Sequence, residues 1–321
     1  MDNSLDNTKI DFIQDIINVI TKANVEYTSV KSIDNVYTDL YINSCNIVVR
    51  LINTIDMNNK QRDKMQSDFI YFLNKGIRLI NIFEYEWFTE DLRSKNIRLV
   101  RDALNNKNRR KIYARSTKVS VIDNTIARTF IEQYHLQNFA PANINLGLFY
   151  KDELIGIMTF GRPRFNYTYE YELIRLTYKN DVNVYGGSEK LFRYFVDNFN
   201  PTSILSYCSI TKFSGGVYDR IGMKLLEYTS PNYMWVNNDL KEALPRYKCM
   251  KQKLLDKGMG TPDMTENEIM RSYGYSKVFD CGNSKYGWKQ TDNHTKKKVY
   301  TDTVEYNLNI IEKHHALNET I

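Results

Sequence analysis

The stretch Asn183–Phe195, NVYGGSEKLFRYF, decides how the chain is read. A strand-like run meets two glycines, and an amphipathic helix follows with Leu191, Phe192, Phe195 and Phe199 on one face. Glycine takes positive φ without strain and lets backbone amides approach a phosphate, while the helix that begins there turns its positive end to the same point. Gly186, Gly187, Ser188 and Lys190 are therefore the candidate cofactor-binding residues. The same residues also suit a plain tight turn in which Ser188 caps the helix.

Working outward, NTIARTFIEQYHL reads as a helix, INLGLFY and ELIGIMTFG as a hairpin turning at Lys151 and Asp152, and YELIRLTY as a strand before the glycines. TSILSYCS follows as a strand, GGVYDRIGM as a short helix, and KLLEYTS and NYMWV as closing strands. This order suits an α+β, acyltransferase-like core better than a doubly wound sheet. The earlier part is mixed α/β. It holds a helix carrying Ile10, Phe12, Ile13, Ile16, Ile17 and Ile20 on one side, then a hairpin of VYTDLYI and NIVVRLI. A helix ending at Gly76, a buried strand IRLINIFEYEW and a helix starting at Thr89 complete it.

A chain of 321 residues exceeds one ordinary core. The expected division is a helical segment over 1–28, a mixed α/β domain over 29–112, an α+β domain over 113–290 and a polar tail over 291–321, with a linker near 105–118. No window has the apolar length of a membrane span or the pattern of a signal peptide, so the expectation is a soluble, cytoplasmic protein without a membrane partner. The four cysteines are far apart and show no zinc-type spacing.

The net charge of +6 is mild, but it is concentrated. Arg93 to Lys118 holds ten Lys or Arg against one acid, and Lys241 to Lys257 holds six against two. Phosphate contacts are expected from Arg93, Lys95, Arg98, Arg101, Lys107, Arg109, Arg110, Lys111 and Arg115, and from Lys248, Lys251 and Lys253. Trp87, Tyr113 and Tyr247 are candidates for stacking. Asp39, Glu84 and Glu86 lie at strand ends where carboxylates converge on Mg²⁺ in metal-dependent nucleases. In the second half, His135, Glu172, Arg175 and Tyr207 are the candidate catalytic residues. Glu172 and Arg175, three apart on a strand, face opposite ways unless a bulge intervenes. Walker, Rossmann, Ser-His-Asp and deaminase signatures are absent from the sequence.

From Val36 to Trp288 the chain resembles phage homing endonucleases of the Hef-like kind, in which a Vsr-type, restriction-endonuclease-like nuclease domain precedes a region similar to the Mom DNA-modification family. The resemblance is carried by GIRLINIFEYEW, KIYARSTKV, FIEQYHLQ, MTFGRPR, YELIRL, VYGGSEKLFRYF, ILSYCS, YDRIGMK, PNYMWV and RYKCMKQKL in that order. It implies a GNAT-type (Mom-like) α+β domain after a nuclease-fold domain. The chain departs from the pattern at Arg50, where the nucleases carry an acid, near Met65 and Asp68, where they carry a histidine and a lysine, and at Ser209, where the Mom-like region carries an acid. A cation at a metal-ligand position repels Mg²⁺. The resemblance thus implies a DNA-binding protein with eroded nuclease chemistry in the cytoplasm of a host bacterium, partnered by DNA and by other phage proteins of a nucleic-acid-processing complex. Its alternatives are an active Mg²⁺-dependent endonuclease and a Mom-like acyltransferase that uses acetyl-CoA to modify DNA bases.

Overall fold

A computed structural model describes residues 3–23, 26–28, 32–54, 57–104 and 109–290. Lys107 and the expected tail over 291–321 lie outside the described residues. Along the chain come α1 (Asn3–Lys22), β1 (Ser32–Ile33), β2 (Val36–Tyr37), β3 (Leu40–Ile42), β4 (Ile47–Ile52), α2 (Asn59–Asn74) and β5 (Arg78–Phe83). Next are α3 (Glu84–Phe88), α4 (Glu90–Leu104), β6 (Arg110–Tyr113), β7 (Lys118–Val121), α5 (Asn124–Tyr134), β8 (Ile144–Tyr150) and β9 (Glu153–Gly161). Then follow β10 (Tyr171–Tyr178), β11 (Val182–Tyr185), α6 (Gly187–Phe199), β12 (Ser203–Ser209), α7 (Gly216–Arg220) and β13 (Lys224–Tyr228). The last are β14 (Tyr233–Asn237), β15 (Ala243–Pro245), α8 (Lys251–Asp256), α9 (Glu266–Ser272), β16 (Tyr275–Phe279) and β17 (Asn283–Lys289).

The chain divides into two compact units that are not consecutive in sequence. Unit 1 is Met1–Asn105, Cys208–Ser214 and Tyr228–Asn283, and unit 2 is Asn106–Tyr207, Gly215–Glu227 and Ser284–Ile321. The expected α+β domain over 113–290 differs from this division in that Tyr228–Asn283 belongs with the first unit.

In unit 1, β3 pairs antiparallel with β4, and β4 parallel with β5 through the α2 crossover. Neighbouring residues of β4 point to opposite faces. Val49 joins Phe12, Ile16, Ile20, Trp87 and Val100 on one side, while Val48 joins Phe69, Phe72, Val236 and Val278 on the other. Asn58 caps α2 reciprocally with Gln61, and Gly76 takes φ 67° just past its end. The expected strand IRLINIFEYEW stops at Phe83. The Glu86 carboxylate accepts from the Phe83 amide and starts α3, so FEYEW is helical. NYMWV does not close the large sheet either, because β14 sits between β15 and β16 in a three-stranded sheet of unit 1.

The interior of unit 1 is polar at one point. Lys212, in Cys208–Ser214, is 5% exposed and donates to Glu86 Oε2 at 2.7 Å, the Asn81 carbonyl at 2.9 Å and Asn96 Oδ1 at 3.0 Å. A buried ammonium is tolerated only with such a full set of acceptors.

Unit 2 is built on a seven-stranded sheet in the order β13-β17-β12-β10-β9-β8-β7. Neighbours from β7 to β10 are antiparallel, and β10 and β12 run parallel with α6 as the crossover. The β8–β9 turn is the expected one, with Lys151 at φ 47° and Asp152 at φ 63°. Phe195 of α6 stacks on Phe160 of β9, 3.6 Å between ring centroids, and so seats the helix on the sheet. The region expected as a linker instead contains β6, which pairs parallel with β11 from Arg110↔Val182 to Tyr113↔Tyr185.

Arg110 fastens that pair by donating to both Glu153 oxygens, at 2.9 and 3.0 Å, and to Asp181. Hydrogen bonds from Arg110 and then Lys179 hold the Glu153 carboxyl down to about 2. A carboxyl depressed on folding contributes stability above its ordinary value, and that contribution fades as pH falls through the folded value. Amide exchange in β6 should therefore accelerate as pH drops from about 4.5 towards 2 after correction for intrinsic rates, and Glu153→Gln should flatten that dependence. Lys212→Ala leaves Glu86 buried without its cation and should cost about 3–5 kcal/mol in urea denaturation.

Candidate functional site

The β10–β12 pairing covers only Tyr171↔Ile204, Glu172↔Leu205 and Leu173↔Ser206, although both strands continue. The Ser206 hydroxyl donates to the Leu173 carbonyl at the last pair. On the other side of β10 the register shifts between Leu173 and Arg175, so Ile174 is an extra residue. A bulge bends its strand and ends local pairing. The two parallel strands thus stop pairing where the bulge begins.

The bulge also changes which side chains meet. With one residue inserted, Glu172 and Arg175 come to the same face, which corrects the expectation that they point apart. Glu172 is 1% exposed, and its carboxylate accepts from the Arg164 backbone N–H at 2.9 Å and from the Arg164 guanidinium at 2.5 and 3.1 Å. Arg175 donates to the carbonyls of Asn138 and Ile174. Burial, followed by the charge of Arg164, brings its guanidinium down to about 10. Tyr207 is the first β12 residue beyond the last pair, and burial raises its hydroxyl above the ordinary tyrosine value. Tyr218, on α7, stacks on Tyr286 of β17 at 4.7 Å.

The glycine turn opens α6 close by in the chain. Gly186 has φ 75°, and no side chain caps the helix, leaving first-turn amides open. Gly187 is bare for packing, since a Cβ there would come within 2.8 Å of Val184 and 2.9 Å of the Tyr178 hydroxyl. That hydroxyl lies 2.9 Å from Ser188 Oγ, while the Tyr178 ring covers Gly156. Tyr178 therefore fixes the helix start against β9 and β10.

Other expected residues are placed differently. His135 ends α5, where its Nδ1 accepts from the Gln137 amide at 2.9 Å in a local turn. The Lys190 ammonium donates to the carbonyls of Ala114 and Thr117, and Ala114 lies against Gly186. Lys190 lines an open depression of about 600 Å³ along α6 with Thr117, Arg193 and Asp197.

The expected Mg²⁺ ligands do not assemble. Asp39 Oδ2 accepts from the Leu51 amide, Glu84 is near Thr54, and Glu86 holds Lys212. Among the described residues no group of three His, Cys, Asp or Glu side chains is arranged to hold a metal ion. Arg50 is buried and paired with Asp68 at 2.7 Å.

Of the cations expected to touch phosphate, Arg93 pairs with Asp15, Lys95 with Asp91, and Arg110 with Glu153 and Asp181. Lys251 donates to the Pro262 carbonyl. Arg101, Arg109, Lys111, Arg115, Lys248 and Lys253 have differing degrees of exposure, with Arg98 half-buried. Arg115 lies over Tyr113, which stacks on Tyr185, and Lys253 lies over Tyr247.

No protein-family model matches the chain, and no curated protein does. Solved structures similar to part of it include the ribosomal-protein-S18-alanine N-acetyltransferase of Escherichia coli. That likeness has 8% identity and a TM-score of 0.31, and covers 56% of this chain and 99% of the other. A Bacillus subtilis acetyltransferase in complex with CoA gives 9% and 0.29, covering 55% and 99%. A GNAT family acetyltransferase from Elizabethkingia anophelis with acetyl-CoA bound gives 10% and 0.28, with the same coverage. At these TM-scores the likeness carries no argument. None of the comparisons supports a homing endonuclease, a Vsr-type nuclease or a phage origin.

Arg164 was not among the expected site residues. Its signal was the arginine pair in GRPRF, eight residues before Glu172. Glu172→Gln weakens a charge-assisted clamp and should cost about 1.5–3 kcal/mol. It should also speed proteolysis within residues 162–170, as limited digestion can show.

Proposed function

We propose that unit 2 is a GNAT-type acyltransferase that takes its acyl group from acetyl-CoA or a related thioester and gives it to an amine. The observation that carries this reading is the end of the β10–β12 pairing at a bulge. In sheets with parallel neighbours, ligands bind in the crevice outside the strands' carboxyl ends, and here the helix joining the two strands begins with open amides. The GNAT-type fold implied by the Mom-like motifs agrees with that arrangement.

First-turn amides at Gly187, Ser188 and Glu189 are the donors for the pyrophosphate, with Gly186 giving the turn its shape. Glu189 lies 3.9 Å from Arg220 of α7, which offsets its charge at that end of the helix. The thioester supplies an activated carbonyl carbon. Arg164 and Glu172 hold this end of β10 rigid. The amine nitrogen bonds to the thioester carbonyl carbon as the C–S bond breaks, and Tyr207 gives its proton to the departing sulfur. The proton shed by the amine passes through water to restore the Tyr207 hydroxyl. Glu172 is a positioning residue, because both its oxygens are taken by Arg164.

The acceptor is the finer part of the proposal. The loop between β9 and β10 carries Phe165 at 78% and Tyr167 at 81% exposure, beside Arg162 and Arg164. Protruding aromatics with cations suit a planar amine on an anionic chain, as in a nucleobase of DNA. A DNA partner is supported in the same sense by the exposed Lys111, Arg115, Lys248 and Lys253.

Acetyl-CoA should raise the melting temperature, because a ligand bound by the native state alone stabilises it. At one hundred times its Kd the gain is about 2.7 kcal/mol. Tyr207→Phe should keep that shift and lose about 10²-fold or more in acetyl transfer to DNA, the lower end of what proton-transfer catalysis contributes. No shift at millimolar acetyl-CoA would remove the proposal.

A further inference from the structure

The β14–β16 sheet of unit 1 gathers cations that the acyl-transfer reading does not use. Trp235 and Lys277 are directly opposite across β14 and β16, and Tyr233 is on the same face two residues away. Trp235 is fully buried in a cluster with Cys249, Leu254, Ile269 and Met270, under α8 and α9. The Lys277 ammonium lies 4.2 Å from the Tyr233 ring centroid and 5.0 Å from that of Trp235. The Arg246 guanidinium lies 5.0 Å from the Tyr233 centroid. Two cations are thus drawn to one tyrosine ring.

One carboxylate stands near them. Glu266 Oε1 accepts from the Tyr233 hydroxyl at 2.7 Å and from the Trp235 indole N–H at 3.0 Å. Burial lowers Lys277 below the ordinary lysine value; Arg246 and Arg271 add to that, and Glu266 opposes them. Among the described residues neither Arg246 nor Lys277 makes an ion pair within 4 Å. A half-buried ammonium and a guanidinium held at one tyrosine ring, with the nearby carboxylate already occupied by neutral donors, make a site with surplus positive charge. Such a surplus is relieved by an anion.

We propose that Arg246 and Lys277, converging on Tyr233, form a phosphate-binding site on the β14–β16 face of unit 1. Arg246 offers a planar fork for two phosphate oxygens, and Lys277 a point charge backed by two aromatic rings. The phosphate reaches the site either as free phosphate or as part of a nucleic-acid backbone. Tyr247, 59% exposed and next to Arg246, offers a ring for a neighbouring base in the second case. This site stands independently of the acyl-transfer reading, which concerns unit 2.

The test uses the full chain with two probes, inorganic phosphate by calorimetry and a short single-stranded oligodeoxynucleotide by fluorescence anisotropy across about 50–200 mM salt. Lys277→Met and Arg246→Gln should each weaken the affected probe about tenfold, and for the oligonucleotide should lower the salt slope by roughly 0.7 per cation removed. Lys224→Met, on the exposed β13 of unit 2, should change neither probe. Loss of oligonucleotide binding assigns the site to a nucleic-acid backbone, and loss of phosphate binding alone assigns it to the free anion. Wild-type affinity for both probes in Arg246→Gln, an exposed position that leaves the sheet intact, overturns the proposal. So does equal weakening by Lys224→Met.

Discussion

Lys212 is the residue on which the architecture turns. Its ammonium is out of water, and the cost of that is met only by Glu86, Asn96 and the Asn81 carbonyl together. All three acceptors belong to the first 105 residues, while Lys212 lies in a short segment whose ends are β12 and α7 of unit 2. The Ile210 side chain in the same segment is buried in the core around Phe69 and Phe72. One ion pair and one apolar anchor therefore make seven residues part of unit 1.

Within unit 2 the comparable constraint is the inserted residue Ile174. Without it, β10 would carry Glu172 and Arg175 to opposite faces. With it, the two share a face, the parallel ladder ends at Leu173, and Tyr207 lies just past the last pair. Tyr178, four residues beyond the bulge, then aligns the start of α6 through Gly156, Gly187 and Ser188. The glycine pair is required by the fold itself: Gly186 by its positive φ, and Gly187 by the tyrosine beneath it. An uncapped helix start follows from the same requirement, so packing and ligand binding ask for the same residues.

Much of this was legible in the sequence because it is local. The hairpin at Lys151–Asp152, the stop at Gly76 and the strand-turn-helix at Gly186 each depend on a few adjacent residues, and the structure has all three. What was not legible depends on partners far away in sequence. FEYEW has the apolar density of a strand, and only the Glu86 to Phe83 contact makes it helical. KIYA reads as a connector because its partner strand β11 comes some seventy residues later. The bulge at Ile174 has no glycine or proline to announce it. The basic run from Arg93 to Lys118 shows the limit of counting charges, since Arg93, Lys95 and Arg110 are paired with Asp15, Asp91, Glu153 and Asp181, and Asp15, Glu153 and Asp181 lie far from them in sequence.

The position of β17 has a consequence for how the protein is made. In the large sheet β13 has β17 as its neighbour, and β17 lies between it and β12. Yet β17 leaves the ribosome only after Tyr228–Asn283, which belongs to unit 1. During synthesis the backbone donors and acceptors of β13 and of one edge of β12 wait without a strand between them while that excursion is translated. Exposed strand edges invite pairing with other chains. A nascent chain stalled between Tyr228 and Asn283 is thus the form of this protein most exposed to aggregation, and the sheet of unit 2 closes only when the sequence of unit 1 has ended.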